Sequence, residues 1–225
     1  MPAAQRFAFI LAVLLGYLYI VLLPFKPYPL GWLLKPLPML LYAVLAWRSL
    51  PGAAGRWLAL GFVAAGLGDF FLDYGNRDGL FRQALGAFLL TQLAFIRGFG
   101  LLARGRSWRL LWSVPALFYG TAMAAWMLPA APGLQVPLAL YFCCLLAMVC
   151  SAARVESRPG PLWLGASLFL LADSLIGLNK FIQPFPHAVT LIVLCYFSGQ
   201  TLIAWGLLRL SAGSAASRAA TAPAG

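Results

Sequence analysis

Long apolar segments alternate with short polar connections along the whole chain. A helix that crosses a bilayer needs roughly 17–25 mainly apolar residues, and runs of this kind indicate eight spans. They cover residues 7–23, 33–47, 57–75, 80–102, 108–127, 134–153, 161–179 and 187–209. The second span is the shortest and begins with Lys35-Pro36-Leu37-Pro38, so its first turn needs partners from other helices. The pattern predicts an all-α polytopic membrane helix bundle of about eight transmembrane helices.

The composition fits a membrane protein and excludes a soluble globule. Hydrophobic residues make up 63% of the chain and charged residues 9%, which leaves too little polar surface for a soluble domain of this size. The connections are short, so residues 1–210 are expected to form a single transmembrane domain. Residues 211–225 are mostly Ala, Ser, Gly, Thr and Pro, and they predict a disordered cytoplasmic tail.

The basic residues are distributed unequally between the two sides of the predicted spans. Ten Lys and Arg residues fall on the side that carries both termini, five fall on the opposite side, and Arg97 lies within a span. The positive-inside rule therefore predicts that both termini are cytoplasmic. Anionic lipid headgroups account for the net charge of +11, so the expected partner is the lipid bilayer and not a nucleic acid. Abundant Ala, Gly, Arg and Pro hint at a high-GC bacterial gene and an inner membrane.

The cysteines carry no sign of metal or redox chemistry. Cys143, Cys144, Cys150 and Cys195 all lie in apolar spans, without a Cys-x-x-Cys motif or a nearby His. Packing in the apolar interior is the better interpretation for them. No metal site is predicted.

Two aspartates, Asp69 and Asp173, lie deep inside predicted spans. A carboxylate at the centre of a membrane helix costs roughly 2.5–3.5 kcal/mol, so such groups usually pair, face a cavity or do chemistry. Each aspartate comes about two thirds of the way along its span from the cytoplasmic end, so both carboxyls should lie in the outer half of the bilayer. Lys35 is expected at the same level.

Helical spacing extends each aspartate into a polar stripe that rises to the outer surface. Asp69, Asp73 and Asn76 follow one another at i, i+4 and i+7, and Lys180 lies at i+7 from Asp173. Such stripes favour a cleft that is wet at its outer end and apolar below. A single-chain amphiphile would fit this cleft with its headgroup up and its tail down.

Several short matches suggest an internal repeat. They pair Leu67-Gly68-Asp69 with Leu171-Ala172-Asp173, Pro36-Leu37 with Pro137-Leu138, and Gln92 with Gln200, at offsets of 104, 101 and 108 residues. Similar offsets across four spans fit two parallel four-helix repeats, related by a pseudo-twofold axis along the membrane normal. The repeat would give Asp69 and Asp173 equivalent places.

Four motifs resemble, in order and spacing, those of the YhhN family of eight-span proteins, which includes the lysoplasmalogenases. The motifs are Lys35-Pro36-Leu37, Gly68-Asp69-x-x-Leu72, Asp173-Ser174-Leu175-x-x-Leu178-Asn179-Lys180-Phe181 and Tyr196-x-x-x-Gln200. The resemblance implies hydrolysis of the vinyl ether bond of a lysoplasmalogen, a lysophospholipid, to a fatty aldehyde and a glycerophospho-ethanolamine or -choline, without metal or cofactor. It also implies that Asp69 and Asp173 are the family's two aspartates. At Gln92 the chain departs from the family pattern, because many members have a His in the fourth span.

The residues themselves suit this reaction. A buried carboxyl pair separates an acid from a base, and protonation of the outer alkene carbon of a vinyl ether gives an oxocarbenium ion that water traps. We expect Asp69 and Asp173 to be this pair, in an order that the sequence leaves open. The expected substrate-binding residues are Lys35, Asp73, Gln92, Ser174, Asn179, Lys180, Tyr196 and Gln200. Of these, Lys35 or Lys180 would bind the lipid phosphate.

Other interpretations of the same residues remain open. The aspartates could be interhelical struts paired with Lys35 and Lys180. A secondary transporter would use the buried groups to relay protons or bind an ion, although no central Gly-Pro break splits the aspartate-bearing spans. An intramembrane aspartyl protease is suggested only by Gly66-Leu67-Gly68-Asp69. A lipid-binding or scaffolding role and the oligomeric state also stay open.

Overall fold

The computed structural model describes residues 2–74, 79–103, 107–155 and 160–220, so the predicted polar residue Asn76 lies outside the described part. Nine α-helices occur within these ranges and are numbered in chain order. They are α1 Ala3–Leu22, α2 Gly31–Leu34, α3 Leu37–Ser49, α4 Ala53–Tyr74, α5 Phe81–Leu102, α6 Val114–Met127, α7 Gln135–Ala153, α8 Pro161–Gly177 and α9 Ala188–Ala220. Short 3-10 segments, Leu23–Phe25 and Ser107–Ser113, flank α1 and α6.

Each of the eight predicted spans coincides with a helix, so the prediction of an all-α membrane bundle is confirmed. Seven helical segments within the described ranges are long and apolar enough to cross a bilayer, α6 being counted together with residues 110–113 of the 3-10 segment before it. The exception is α3, which has 13 residues and is therefore only about 20 Å long. Pro36 and Pro38 lie where α3 begins, and α2 precedes it as a separate turn. The chain is an integral, multi-pass membrane protein.

Two helices end differently from the sequence prediction. Helix α8 passes into a π-helical turn, Leu178–Ile182, which carries Asn179 and Lys180. Helix α9 continues to Ala220, through ten residues of the segment 211–225 for which a disordered tail was predicted. The Ala-rich composition of that segment favours helix once α9 provides the preceding turns.

Helices α4 and α5 pack closely through glycines, and α8 and α9 pack in the same way. In the first pair Phe95 packs on Gly61 and Leu58 on Gly98. In the second pair Ile203 packs on Gly165 and Leu162 on Gly206. The corresponding residues are 104 positions apart on α4 and α8 and 108 apart on α5 and α9, which are the offsets of the sequence matches. The packing therefore gives Asp69 and Asp173 corresponding positions in the two helix pairs.

The approach of α8 to α9 leaves no room for a side chain at Gly165. A Cβ added there would lie 2.6 Å from the backbone oxygen of Gly199, whereas a Cβ at Gly100 of α5 meets nothing within 4 Å. We expect Gly165→Ala to lower the free energy of unfolding by about 1–3 kcal/mol, because the two backbones must separate. The matched variant Gly100→Ala should be neutral or slightly stabilising. Thermal unfolding midpoints in detergent measure both, and equal midpoints would contradict this packing.

Candidate active site

Asp69 is fully buried on α4 and has two partners from other segments. Its Oδ1 lies 3.1 Å from Lys35 Nζ, at the end of α2. Its Oδ2 accepts a hydrogen bond of 2.6 Å from the Tyr196 hydroxyl of α9. Lys35 is itself 6% exposed, so the ion pair is shielded from solvent. The charge of an ionised Asp69 is thus compensated by a lysine ammonium.

Asp173 occupies the corresponding position on α8 and has a different partner. Its Oδ2 accepts a hydrogen bond of 2.5 Å from the Tyr141 hydroxyl of α7. Within the described residues Asp173 forms no ion pair. The two buried carboxyls therefore differ in charge compensation, with a cation beside Asp69 and a neutral phenol beside Asp173.

Both aspartates line one small cavity between α4, α8 and α9. The cavity has a volume of about 20 Å³, and Lys35 and Tyr196 line it together with apolar side chains such as Phe88. A space of this size holds about one water molecule. The two carboxyl groups that were expected to meet around a shared pocket do so.

A larger, more polar cavity adjoins the small one. It has a volume of about 360 Å³, and Lys35 and Leu72 line both. Asn179 and Lys180 from the π-helical turn face it, as does Asp73 one turn beyond Asp69. The Asn179 side chain accepts a hydrogen bond of 3.3 Å from the Phe185 N–H, and Lys180 Nζ lies 4.5 Å from the centre of the Phe81 ring. In the predicted orientation this cavity is on the outer side of the carboxyl pocket.

Asp73 belongs to a polar cluster that ties α1 to α4. The Tyr19 hydroxyl donates a hydrogen bond of 2.8 Å to Asp73 Oδ1, and Lys26 Nζ lies 2.5 Å from Asp73 Oδ2. The same ammonium lies 4.5 Å from the centre of the Tyr19 ring. Asp73 is thus held at the edge of the larger cavity by residues of the first helix and the loop after it.

The structure divides the predicted site residues into three groups. Asp69, Asp173, Lys35 and Tyr196 line the small cavity, and Asp73, Asn179 and Lys180 line the larger one. Three others, Gln92, Ser174 and Gln200, line neither of these two cavities. The Ser174 hydroxyl donates to the Leu170 carbonyl one turn earlier in α8.

Gln92 and Gln200 occupy corresponding positions on α5 and α9, 108 residues apart, and both are fully buried. Their side-chain amide atoms make no hydrogen bond within the described residues. The Gln92 amide lies beside the Tyr141 hydroxyl. Gln92 is thus next to the tyrosine that binds Asp173.

Sequence reasoning missed Tyr19, Lys26 and Tyr141. A buried tyrosine hydroxyl usually has a hydrogen-bond partner, so a tyrosine inside an apolar span was the signal that could have found Tyr19 and Tyr141. Lys26 follows the first span directly, but its sequence position does not show that the loop folds back onto α4. Among the described residues no group of three or more metal-ligating side chains occurs.

Comparison with known proteins identifies the family of the chain. The YhhN family matches residues 30–207, which include every residue of the two cavities except Tyr19. No solved structure matches the chain.

The curated relatives that the chain resembles are named lysoplasmalogenases. The chain is 32% identical to lysoplasmalogenase TMEM86B of Sus scrofa, over 79% of this chain and 75% of the relative. It is 29% identical to lysoplasmalogenase TMEM86B of Homo sapiens, over 80% of this chain and 77% of the relative. It is also 32% identical to a lysoplasmalogenase of Mycobacterium bovis, over 58% of this chain and 52% of that relative.

The Lys35–Asp69 ion pair provides a test of the site's architecture. We expect Lys35→Met to lower the free energy of unfolding by about 3–5 kcal/mol, because it leaves a buried carboxyl without its cation. The double variant Lys35→Met with Asp69→Asn should regain most of this loss. Thermal or denaturant unfolding in detergent measures both changes.

The Lys26–Asp73 pair is the matched control, because the Lys26 side chain is 27% exposed. Lys26→Met should cost about 1 kcal/mol or less, as is usual for an ion pair near solvent. A larger loss for Lys26→Met than for Lys35→Met would contradict the interpretation of Lys35–Asp69 as the shielded pair.

Proposed function

Because this chain belongs to the YhhN family, we propose that it hydrolyses the vinyl ether bond of a lysoplasmalogen. The products are a fatty aldehyde and glycerophospho-ethanolamine or -choline. The relatives named lysoplasmalogenase support this reaction class. The observation that carries the proposal is that Asp69 and Asp173 line the same small cavity with different charge compensation.

The difference between the carboxyls suggests which of them is the acid. Among the described residues the Tyr141 phenol is the one hydrogen-bond partner of Asp173, so the neutral carboxylic acid is the form that fits its surroundings. We assign Asp173 as the general acid that gives its proton to the outer alkene carbon of the vinyl ether. The carbon–carbon π electrons form the new C–H bond, and the positive charge passes to the ether carbon and oxygen.

Asp69 then acts on the oxocarbenium ion and on water. Its carboxylate, compensated by Lys35 and bound by Tyr196, stabilises the developing positive charge. The small cavity has room for about one water molecule. Asp69 takes a proton from that water while the water oxygen bonds to the ether carbon. This step gives a hemiacetal, with Asp69 protonated and Asp173 ionised.

Collapse of the hemiacetal returns both carboxyls to their starting forms. Asp173 takes the proton of the hemiacetal hydroxyl, the C–O bond to the glycerol breaks, and Asp69 gives its proton to the departing glycerol oxygen. The protons therefore balance over one cycle without any further reactant than water.

The larger cavity is suited to the lipid headgroup. Lys180 and Lys35 face it and provide positive charge for the phosphate, and Asp73 provides negative charge for the ammonium group of ethanolamine or choline. Asn179 is a further hydrogen-bonding group at its wall. Gln92, Ser174 and Gln200, which line neither of the two cavities, have supporting roles in this proposal. With both termini in the cytoplasm, the headgroup would face the outside of a bacterial inner membrane.

Neutral variants of the two aspartates test the catalytic roles. We expect Asp69→Asn and Asp173→Asn each to lower the rate of fatty aldehyde release by at least about 100-fold, the usual contribution of a general acid or base. Purified protein, reconstituted and assayed for aldehyde, gives the measurement. Full activity in either variant would overturn the proposal.

Two controls distinguish a catalytic role of Asp69 from a purely structural one. Asp73→Asn changes the same chemical group one turn along α4 and should mainly raise KM. The stable double variant Lys35→Met with Asp69→Asn should remain inactive although its fold is restored. Activity in that double variant would mean that the ion pair has only a structural role.

The proton transfer to carbon leaves an isotopic mark. In D₂O each aldehyde formed should carry one deuterium on the carbon next to the carbonyl, because that hydrogen comes from solvent through Asp173. Mass spectrometry of the aldehyde, trapped by reduction, detects it. The saturated 1-alkyl analogue has no alkene to protonate and should bind without being cleaved; its cleavage would contradict this mechanism.

A further inference from the structure

The bundle below the carboxyl pocket is filled with aromatic side chains. Phe62 lies seven residues, or about 10 Å, deeper than Asp69 on α4. Its ring contacts the Phe95 ring at a centroid distance of 5.1 Å, and both residues are fully buried, as is Phe169 of α8. This aromatic packing occupies the bundle directly below Asp69, where the sequence favoured an apolar space for a lipid tail. A chain attached to a headgroup in the larger cavity must leave the pocket sideways.

A lateral groove provides such a path between the first turns of α5 and α7. It has a volume of about 470 Å³, and Gly86 and Leu89 line one side while Pro137 and Leu140 line the other. Leu140 is 57% exposed, and a Cβ added at Gly86 would meet nothing within 4 Å. The groove therefore opens to the hydrocarbon that surrounds the bundle. Its charged residue, Arg82, lies at the beginning of α5, which leaves the deeper part apolar.

The groove adjoins an inner cavity that reaches Asp173. Leu85 and Tyr141 line the groove, and the same two residues line an inner cavity of about 30 Å³ that reaches Asp173. The remaining wall of that inner cavity is almost entirely apolar, with Phe88, Leu138 and Phe142 among its residues. Leu85 and Tyr141 thus lie between this inner cavity and the lipid-facing groove.

We propose that the groove between α5 and α7 binds the alkenyl chain of the substrate, an inference that rests on the proposed function. The headgroup occupies the larger cavity, the vinyl ether lies beside the two aspartates at the edge of the small cavity, and the chain passes Leu85 and Tyr141 into the groove. Apolar contact with the groove supplies binding free energy for the chain. Because the groove is open to the bilayer, the far end of a long chain extends into lipid without a length limit.

A bulky side chain at Gly86 tests the proposal, with Gly100 as the matched control. Gly100 lies on nearly the same face of α5, about 21 Å farther along the helix, and a Cβ there also meets nothing within 4 Å. We expect Gly86→Phe to lower kcat/KM for a hexadecenyl substrate by about tenfold, the loss from about two methylenes without apolar contact. It should leave kcat/KM for a butenyl substrate unchanged, because that chain is too short to reach the groove. Gly100→Phe should affect neither.

The two possible failures of this experiment are distinguishable. If Gly86→Phe and wild type show the same preference for long over short chains, the groove is not the chain site, although the hydrolysis stands. If wild type cleaves no vinyl ether at all, the proposed function fails.

A second measurement does not depend on turnover. A saturated 1-alkyl lysophospholipid with a photoreactive group at its chain end should label the groove-lining residues of α5 and α7, in competition with unlabelled lysophospholipid. Gly86→Phe should abolish this labelling and Gly100→Phe should not. Labelling that only bulk diacyl lipid competes away, or labelling of other helices, would overturn the assignment.

Discussion

The absence of water in the bilayer interior is the constraint on which the site depends. A carboxyl group there must find its partners within the protein, because an unsatisfied polar group in hydrocarbon costs several kcal/mol. Asp69 finds them in Lys35, which precedes α3, and in Tyr196 of α9, and Asp173 finds its partner in Tyr141 of α7. Each bond joins a different pair of segments. The same contacts that satisfy the two carboxyls thus also hold the helices around the pocket.

The helix pairs α4–α5 and α8–α9 pack alike, but their two carboxyls have different surroundings. The glycine packing is equivalent in the two helix pairs, but the polar partners are not. At the offset that aligns Pro36 with Pro137, the position of Lys35 corresponds to Val136, and at the offset of α5 and α9, Tyr196 corresponds to Phe88. Only Asp69 has both a lysine and the α9 tyrosine. In the proposed mechanism, these two differences between the helix pairs distinguish the base Asp69 from the acid Asp173.

The sequence predicts the helices well because the length of an apolar run is a direct consequence of bilayer thickness. It also predicts that Asp69 and Asp173 meet, since the cost of burial requires a shared polar interior. It could not predict Tyr141 or the Lys26–Asp73 pair, because these contacts depend on which helices are neighbours and how they rotate. The aromatic packing below the pocket could not be predicted for the same reason. Phe62 and Phe95 come from separate helices, and their ring contact depends on how Phe95 packs on Gly61.

An aromatic floor and two openings suit a reaction whose products differ in polarity. If the headgroup lies in the larger cavity and the chain in the groove, the glycerophospho product leaves toward water and the aldehyde leaves into the bilayer. Neither product has to pass the other, and neither has to cross the aromatic core. The small cavity between the openings admits about one water molecule, which is what hydrolysis of one vinyl ether consumes. In the proposed mechanism the oxocarbenium ion forms beside this cavity and meets the carboxylate of Asp69 and that single water.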